Sequence, residues 1–97
     1  MVIYYYSYYI DEKNQPSPRD GGWSALVDHD KKTIKLYINT IEPENQYKKD
    51  FKTCDFFIFQ RSNTSVINLV QALKENKYKI IKKIEDPHPW ERKRENK

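Results

Sequence analysis

DFFIFQRSNTSVINLVQAL, residues 55–73, is the stretch on which the fold turns. Between Asp55 and Gln60 the residues Phe56, Phe57, Ile58 and Phe59 form an unbroken apolar run of strand length, which predicts a central strand buried on both faces. Beyond Ser62, Asn63 or Thr64 is placed to cap a helix in which Val66, Ile67, Leu69, Val70 and Leu73 recur at three- and four-residue steps, ending near Asn76. Tyr78, Ile80 and Ile84 then make a last strand, stopped at Asp86-Pro87-His88-Pro89, where two prolines cannot continue a ladder. Strand, helix, strand in that order implies parallel pairing of the two strands through a right-handed crossover.

Toward the N-terminus, Val2 to Ile10 is a run of aromatic and β-branched residues. It predicts a strand with Tyr4, Tyr6 and Tyr8 on one face and Tyr5, Ser7 and Tyr9 on the other. Residues 11–22, with Pro16, Pro18, Gly21 and Gly22, read as a loop. Trp23, Ala25 and Val27 alternate with Ser24, Leu26 and Asp28, and Ile34, Leu36 and Ile38 alternate again after the polar turn at His29, Asp30 and Lys31, which is a β-hairpin. In residues 41–53, Pro43 beside Glu42 and Glu44, with Lys48 and Lys49 further on, suggests a short helix of two or three turns. The expected architecture is one small α/β domain over residues 1–90, an α+β mixed sheet in which a three-stranded antiparallel meander precedes a strand–helix–strand unit. Residues 91–97 are expected to form a charged tail.

The 97 residues carry a net charge of +4, and all of the excess lies in residues 71–97. A basic end suits an anionic partner such as nucleic acid, and it also suits a plain solvated surface. Only 37% of the chain is apolar against 33% charged, so the fourteen aromatic residues must supply much of the core. No stretch approaches a membrane span, and the first residues lack the pattern of a signal peptide, so a cytoplasmic protein without membrane partners is expected. Cys54 is the single cysteine, which excludes an internal disulfide and a CxxC metal knuckle.

The order of elements, together with Asp11-Glu-Lys-Asn-Gln-Pro-Ser-Pro-Arg-Asp-Gly-Gly-Trp23-Ser-Ala-Leu, resembles the ribonuclease H-like fold, whose first strand ends in an Asp before a Pro/Gly-rich loop. Phe57-Ile-Phe-Gln-Arg-Ser-Asn-Thr-Ser-Val-Ile-Asn-Leu-Val is similar to that family's fourth strand running into its second helix, and His88-Pro-Trp-Glu-Arg to its His-containing loop. The resemblance implies two-metal phosphodiester chemistry, which needs four convergent carboxylates. Asp11 matches the first and Glu44 the second, but Gln60 or Arg61 stands where the third belongs, and the fourth is left to Glu91 or Glu95. A guanidinium at the third position repels the cations that a carboxylate would attract.

The departures favour a reduced, non-catalytic ribonuclease H-like module that binds nucleic acid or a nucleic-acid-processing protein. Its contacts would be Lys77, Lys79, Lys82, Lys83, Trp90, Arg92 and Arg94, with one row of the tyrosines for stacking. For most of the tyrosines the core face of a small sheet is the favoured place. One alternative is a magnesium- or manganese-dependent nuclease built on Asp11, Glu44 and His88; in every other reading no cofactor or metal is expected. Another is a small protein inhibitor or adaptor that acts through exposed aromatics, Trp23 or Trp90 among them. Asp20 and Asp28 read as turn formers, and His29 as an exposed polar residue of the hairpin turn.

Overall fold

The computed structural model describes residues 1–10, 13, 16–17 and 21–87. Its elements are β1 (Val2–Tyr6), β2 (Tyr9–Ile10), β3 (Pro16–Ser17), β4 (Trp23–Asp28), β5 (Thr33–Ile38), α1 (Pro43–Gln46), β6 (Phe56–Phe59), α2 (Asn63–Glu75) and β7 (Lys79–Glu85). Five strands form one mixed sheet in the order β6-β1-β4-β5-β7, and β2 pairs with β3 in a small two-stranded ribbon. The meander expected from the sequence is present: β1 is antiparallel to β4 and β4 to β5. β6 runs parallel beside β1, and β7 parallel beside β5.

The chain therefore crosses the sheet twice. Residues 39–55 carry it from β5 over one face to β6, and α2 carries it back over the other face to β7. Parallel neighbours demand such crossovers, and here each one covers a face. Beneath α2, Val66 and Val70 pack on Ala25, Val27, Ile34, Leu36 and Ile38. On the opposite face Tyr4, Leu26 and Tyr37 are buried under Tyr47, Phe51 and Cys54. Tyr37 is wholly buried, which its hydroxyl tolerates because it donates to Asp50 Oδ2 at 2.9 Å.

Several expectations are corrected. The strand–helix–strand unit exists in sequence, but β6 and β7 occupy opposite edges of the sheet and do not pair. β6 is no central strand, for Phe56, Phe57, Ile58 and Phe59 keep 52%, 55%, 40% and 48% of their surface exposed. The predicted first strand breaks at Ser7 and Tyr8, where the Ser7 N–H turns to the Trp23 carbonyl at 3.0 Å. β3 and its pairing with β2 fall inside what reads as pure loop.

The helix expected in residues 41–53 has the single turn α1, followed by turns in which Asp50, Phe51 and Cys54 donate to the carbonyls three residues back. Within these turns the Tyr47 and Phe51 rings both pack on Tyr37, at 5.4 and 5.7 Å between centroids. The cap of α2 is Ser62, whose hydroxyl accepts from the Ser65 N–H at 3.2 Å. Asn63 is already helical, and its side chain accepts from the Trp23 N–H at 3.0 Å, which pins the start of α2 to β4. Gly22 is obligatory for contact rather than for φ, since a Cβ there would lie 2.3 Å from the Ser7 carbonyl oxygen.

Candidate interaction surface

Strand alternation places Tyr4, Tyr6 and Tyr8 on the face opposite α2, and the parallel register sets Phe57 beside Tyr4 and Phe59 beside Tyr6. The rings touch in sequence. Tyr4 stacks on Tyr6 at 5.3 Å between centroids, Tyr6 meets Tyr8 at 5.6 Å, and Phe59 lies 5.5 Å from Tyr6 and 5.6 Å from Tyr8. Phe51 closes the inner end edge-on to Tyr4 at 4.8 Å. The result is a graded surface, buried at Tyr4 and open at Phe57 and Phe59.

A cleft of about 120 Å³ opens beside this row, lined by Tyr4, Tyr6, Tyr8, Phe57, Glu42 and Glu44 among others. It is well below the roughly 300–1,000 Å³ of a small-molecule or cofactor pocket, so its size suits a single side chain. Burial pushes the Tyr8 phenol up, and the charges of Tyr6, Glu44 and Glu42 push it further. Tyr4 is raised chiefly by burial, against a hydrogen bond from Ser24, with Glu44 adding to the rise. Both phenols thus stay protonated and able to donate, and two carboxylates give the cleft a negative character.

The residues expected to bind nucleic acid are placed elsewhere. Lys77 precedes β7, and Lys79, Lys82 and Lys83 lie on it, at the edge of the sheet remote from β6. Three strand spacings separate β7 from β1, on the order of 14 Å. The lysines therefore lie across the sheet from the tyrosine row. Lys82 is committed internally: its ammonium lies 2.6 Å from Asp50 Oδ2 and 4.6 Å over the Tyr47 ring. Burial raises the Asp50 carboxyl, but Lys82, the Tyr37 hydroxyl and Lys35 outweigh it and hold the group below the usual carboxylate range. Lys77, Lys79 and Lys83 are exposed, and the Lys79 N–H donates to the Lys32 carbonyl at 3.0 Å, which draws the lysine-bearing β4–β5 turn to the start of β7.

Of the nuclease residues, Asp11 and His88 lie outside the described residues, as do Asp20, Trp90, Glu91, Arg92, Arg94 and Glu95. Glu44 lines the cleft with Glu42, Arg61 lies exposed past the end of β6, and no three of His, Cys, Asp or Glu gather as a metal site among the described residues. Cys54 is half-buried, and burial pushes its thiol up, away from the thiolate that nucleophilic chemistry requires.

His29 departs from its reading as a free polar residue. Its Nε2 lies 3.0 Å from the Tyr5 hydroxyl and its Nδ1 2.9 Å from the Tyr78 hydroxyl, so it ties β1 to the start of β7. Trp23 is half-buried against the α2-side core, not presented as an anchor. Among the described residues no helix is long and apolar enough to cross a membrane. In comparison with known proteins, no family model, no curated protein and no solved structure matches the chain.

Proposed function

We propose that this chain is a small non-catalytic interaction module that recognises a protein partner through the aromatic face of β1 and β6. One observation carries the reading: a continuous row of touching rings, from Tyr4 to Phe59, is open to solvent at its outer end and bordered by Glu42 and Glu44. Exposed contiguous apolar surface of this kind marks sites of association. A Lys or Arg side chain is the natural occupant of the cleft, since ring faces and carboxylates both attract a cation. The same carboxylates repel phosphate, which argues against bases stacking on this row.

The kinship with ribonuclease H-like proteins remains part of the proposal. The antiparallel meander and the parallel strand beside β1 support it, whereas β7 beside β5 departs from the expected pairing of the last two strands. A second reading, nucleic-acid binding at the other edge, is favoured by exposed Lys77, Lys79 and Lys83 beside the turn that holds Lys31 and Lys32. Binding there would rest on phosphate contacts and weaken steeply with salt.

The test is an NMR titration of the full chain with two probe sets: short Lys- or Arg-containing aliphatic peptides, and single-stranded, duplex and hybrid oligonucleotides with and without magnesium. The proposal expects peptide-induced shifts at Tyr6, Tyr8 and Phe59, reduced about tenfold in affinity by Glu44→Gln, one charge-assisted contact. Shifts confined to Lys79 and Lys83 with oligonucleotides would replace it with the second reading. Magnesium-dependent cleavage lost in Asp11→Asn would replace both with the nuclease.

A further inference from the structure

We infer that the chain forms a two-fold symmetric homodimer by antiparallel pairing of β6 with β6 of a second copy, centred on Ile58. Among the described residues β6 has β1 on one side and no strand on the other. The Gln60 N–H donates to the Tyr6 carbonyl at 2.7 Å, so within β6 the even-numbered residues direct their backbone groups at β1, while just before the strand the Asp55 N–H also turns to β1, onto the Val2 carbonyl at 2.8 Å. Backbone direction alternates along a strand, which aims the N–H and C=O groups of Phe57 and Phe59 at the open edge.

The flanking charges say what fits there. Asp55 and Arg61 stand three residues before and three after Ile58, and both are exposed. A two-fold antiparallel pairing about Ile58 sets Phe57 opposite Phe59 of the second copy in a hydrogen-bonded pair and Ile58 opposite its twin. Just beyond the paired strands it also brings the side chains of Asp55 and Arg61 near one another at both ends. Asp55 uses Oδ2 for the Val2 N–H, and Arg61 makes no ion pair among the described residues. The neighbouring register, centred on Phe57, would set Asp55 against Phe59 and leave both charges unmatched. Sequence symmetry thus selects one register. The pairing joins two sheets edge to edge and leaves the aromatic faces open, so it stands apart from the recognition of another protein. A strand this short buries little area, which places the dimer in the range of weak interfaces, on the order of micromolar.

Sedimentation equilibrium of the full chain from about 1 to 500 µM is expected to show concentration-dependent dimerisation. Arg61→Asp sets like charges together and is expected to weaken it about tenfold, and the swap Asp55→Arg with Arg61→Asp to restore it. In a Cys54→Ser background, Ile58→Cys places two thiols at a non-hydrogen-bonded pair, about 4.5 Å between Cα atoms and within disulfide range, and is expected to cross-link on oxidation. A monomer throughout, or a dimer indifferent to Arg61→Asp and not cross-linked through position 58, overturns the inference. The peptide titration reads the aromatic face instead of the strand edge, through Tyr6 and Tyr8, and keeps its own outcome either way.

Discussion

The two edges of the sheet are built on opposite plans. β7 ends the sheet with lysines at 79, 82 and 83, and a register shift falls opposite Ile34 and Lys35. β6 ends it with Phe56, Phe57, Ile58 and Phe59, all exposed, and holds its charges back to Asp55 and Arg61. Lysines and irregular pairing are the usual devices that keep an edge strand from pairing with another chain. One edge is guarded against a partner and the other is left fit for one. Exposed apolar side chains at β6 therefore read as a surface with a use, whereas Ile80 and Ile81 at the guarded edge read as the cost of a small sheet.

The largest effect is expected from erasing the contrast. Lys79→Val with Lys83→Val gives the sheet two apolar edges, and open-ended assembly should follow, seen as light scattering at concentrations where the parent stays clear. Next comes guarding the second edge: Ile58→Lys sets two ammonium groups together at the dimer axis and should weaken dimerisation by about thirtyfold or more. Because Ile58 is only 40% exposed, the change should also cost the monomer about 1 kcal/mol in urea unfolding, read separately from the loss of pairing in dilute protein. Smaller still is loss of the anchor that fastens β7. Asp50→Asn removes the charged acceptor shared by Lys82, Lys35 and Tyr37 and should cost about 2 kcal/mol in urea unfolding. The native carboxyl titrates below its unfolded value, so this stabilisation is complete above about pH 4 and lost as pH falls through the native pKa. The gap between parent and Asp50→Asn should therefore close on acidification, measured as Tm against pH. The smallest is His29→Phe, which breaks two tyrosine contacts between β1 and the start of β7 and should cost about 1 kcal/mol.

The same contrast explains what could be read from the sequence. α2 was legible because Val66 and Val70 recur at helical spacing behind Ser62, and the β4–β5 hairpin because Ala25 and Val27 face Leu36 and Ile34 in strict alternation. Both patterns are local. The place of β6 was not legible, because an apolar run looks alike whether its own chain covers it or a partner does. Nor was the side of the sheet that β7 joins, since β5 and β6 are both parallel neighbours open to it. Asp50 lies 32 residues from Lys82 and nothing nearby marks the pair. The aromatic row was half visible: the tyrosine alternation placed Tyr4, Tyr6 and Tyr8 together, but Phe57 and Phe59 joined them only through the parallel register. Nor does the sequence show how far the lysines of β7 stand from the tyrosines, because sheet order is not a local property.

Amide hydrogen exchange at Phe57, Phe59 and Gln60, compared at about 10 and 500 µM protein, tests the reading of the β6 edge most directly. Gln60 is bonded to Tyr6 within the chain and should be protected equally at both concentrations. The account predicts that Phe57 and Phe59 exchange fast when dilute and become protected when concentrated. Exchange at those two amides that is fast at both concentrations, or slow at both, would contradict it.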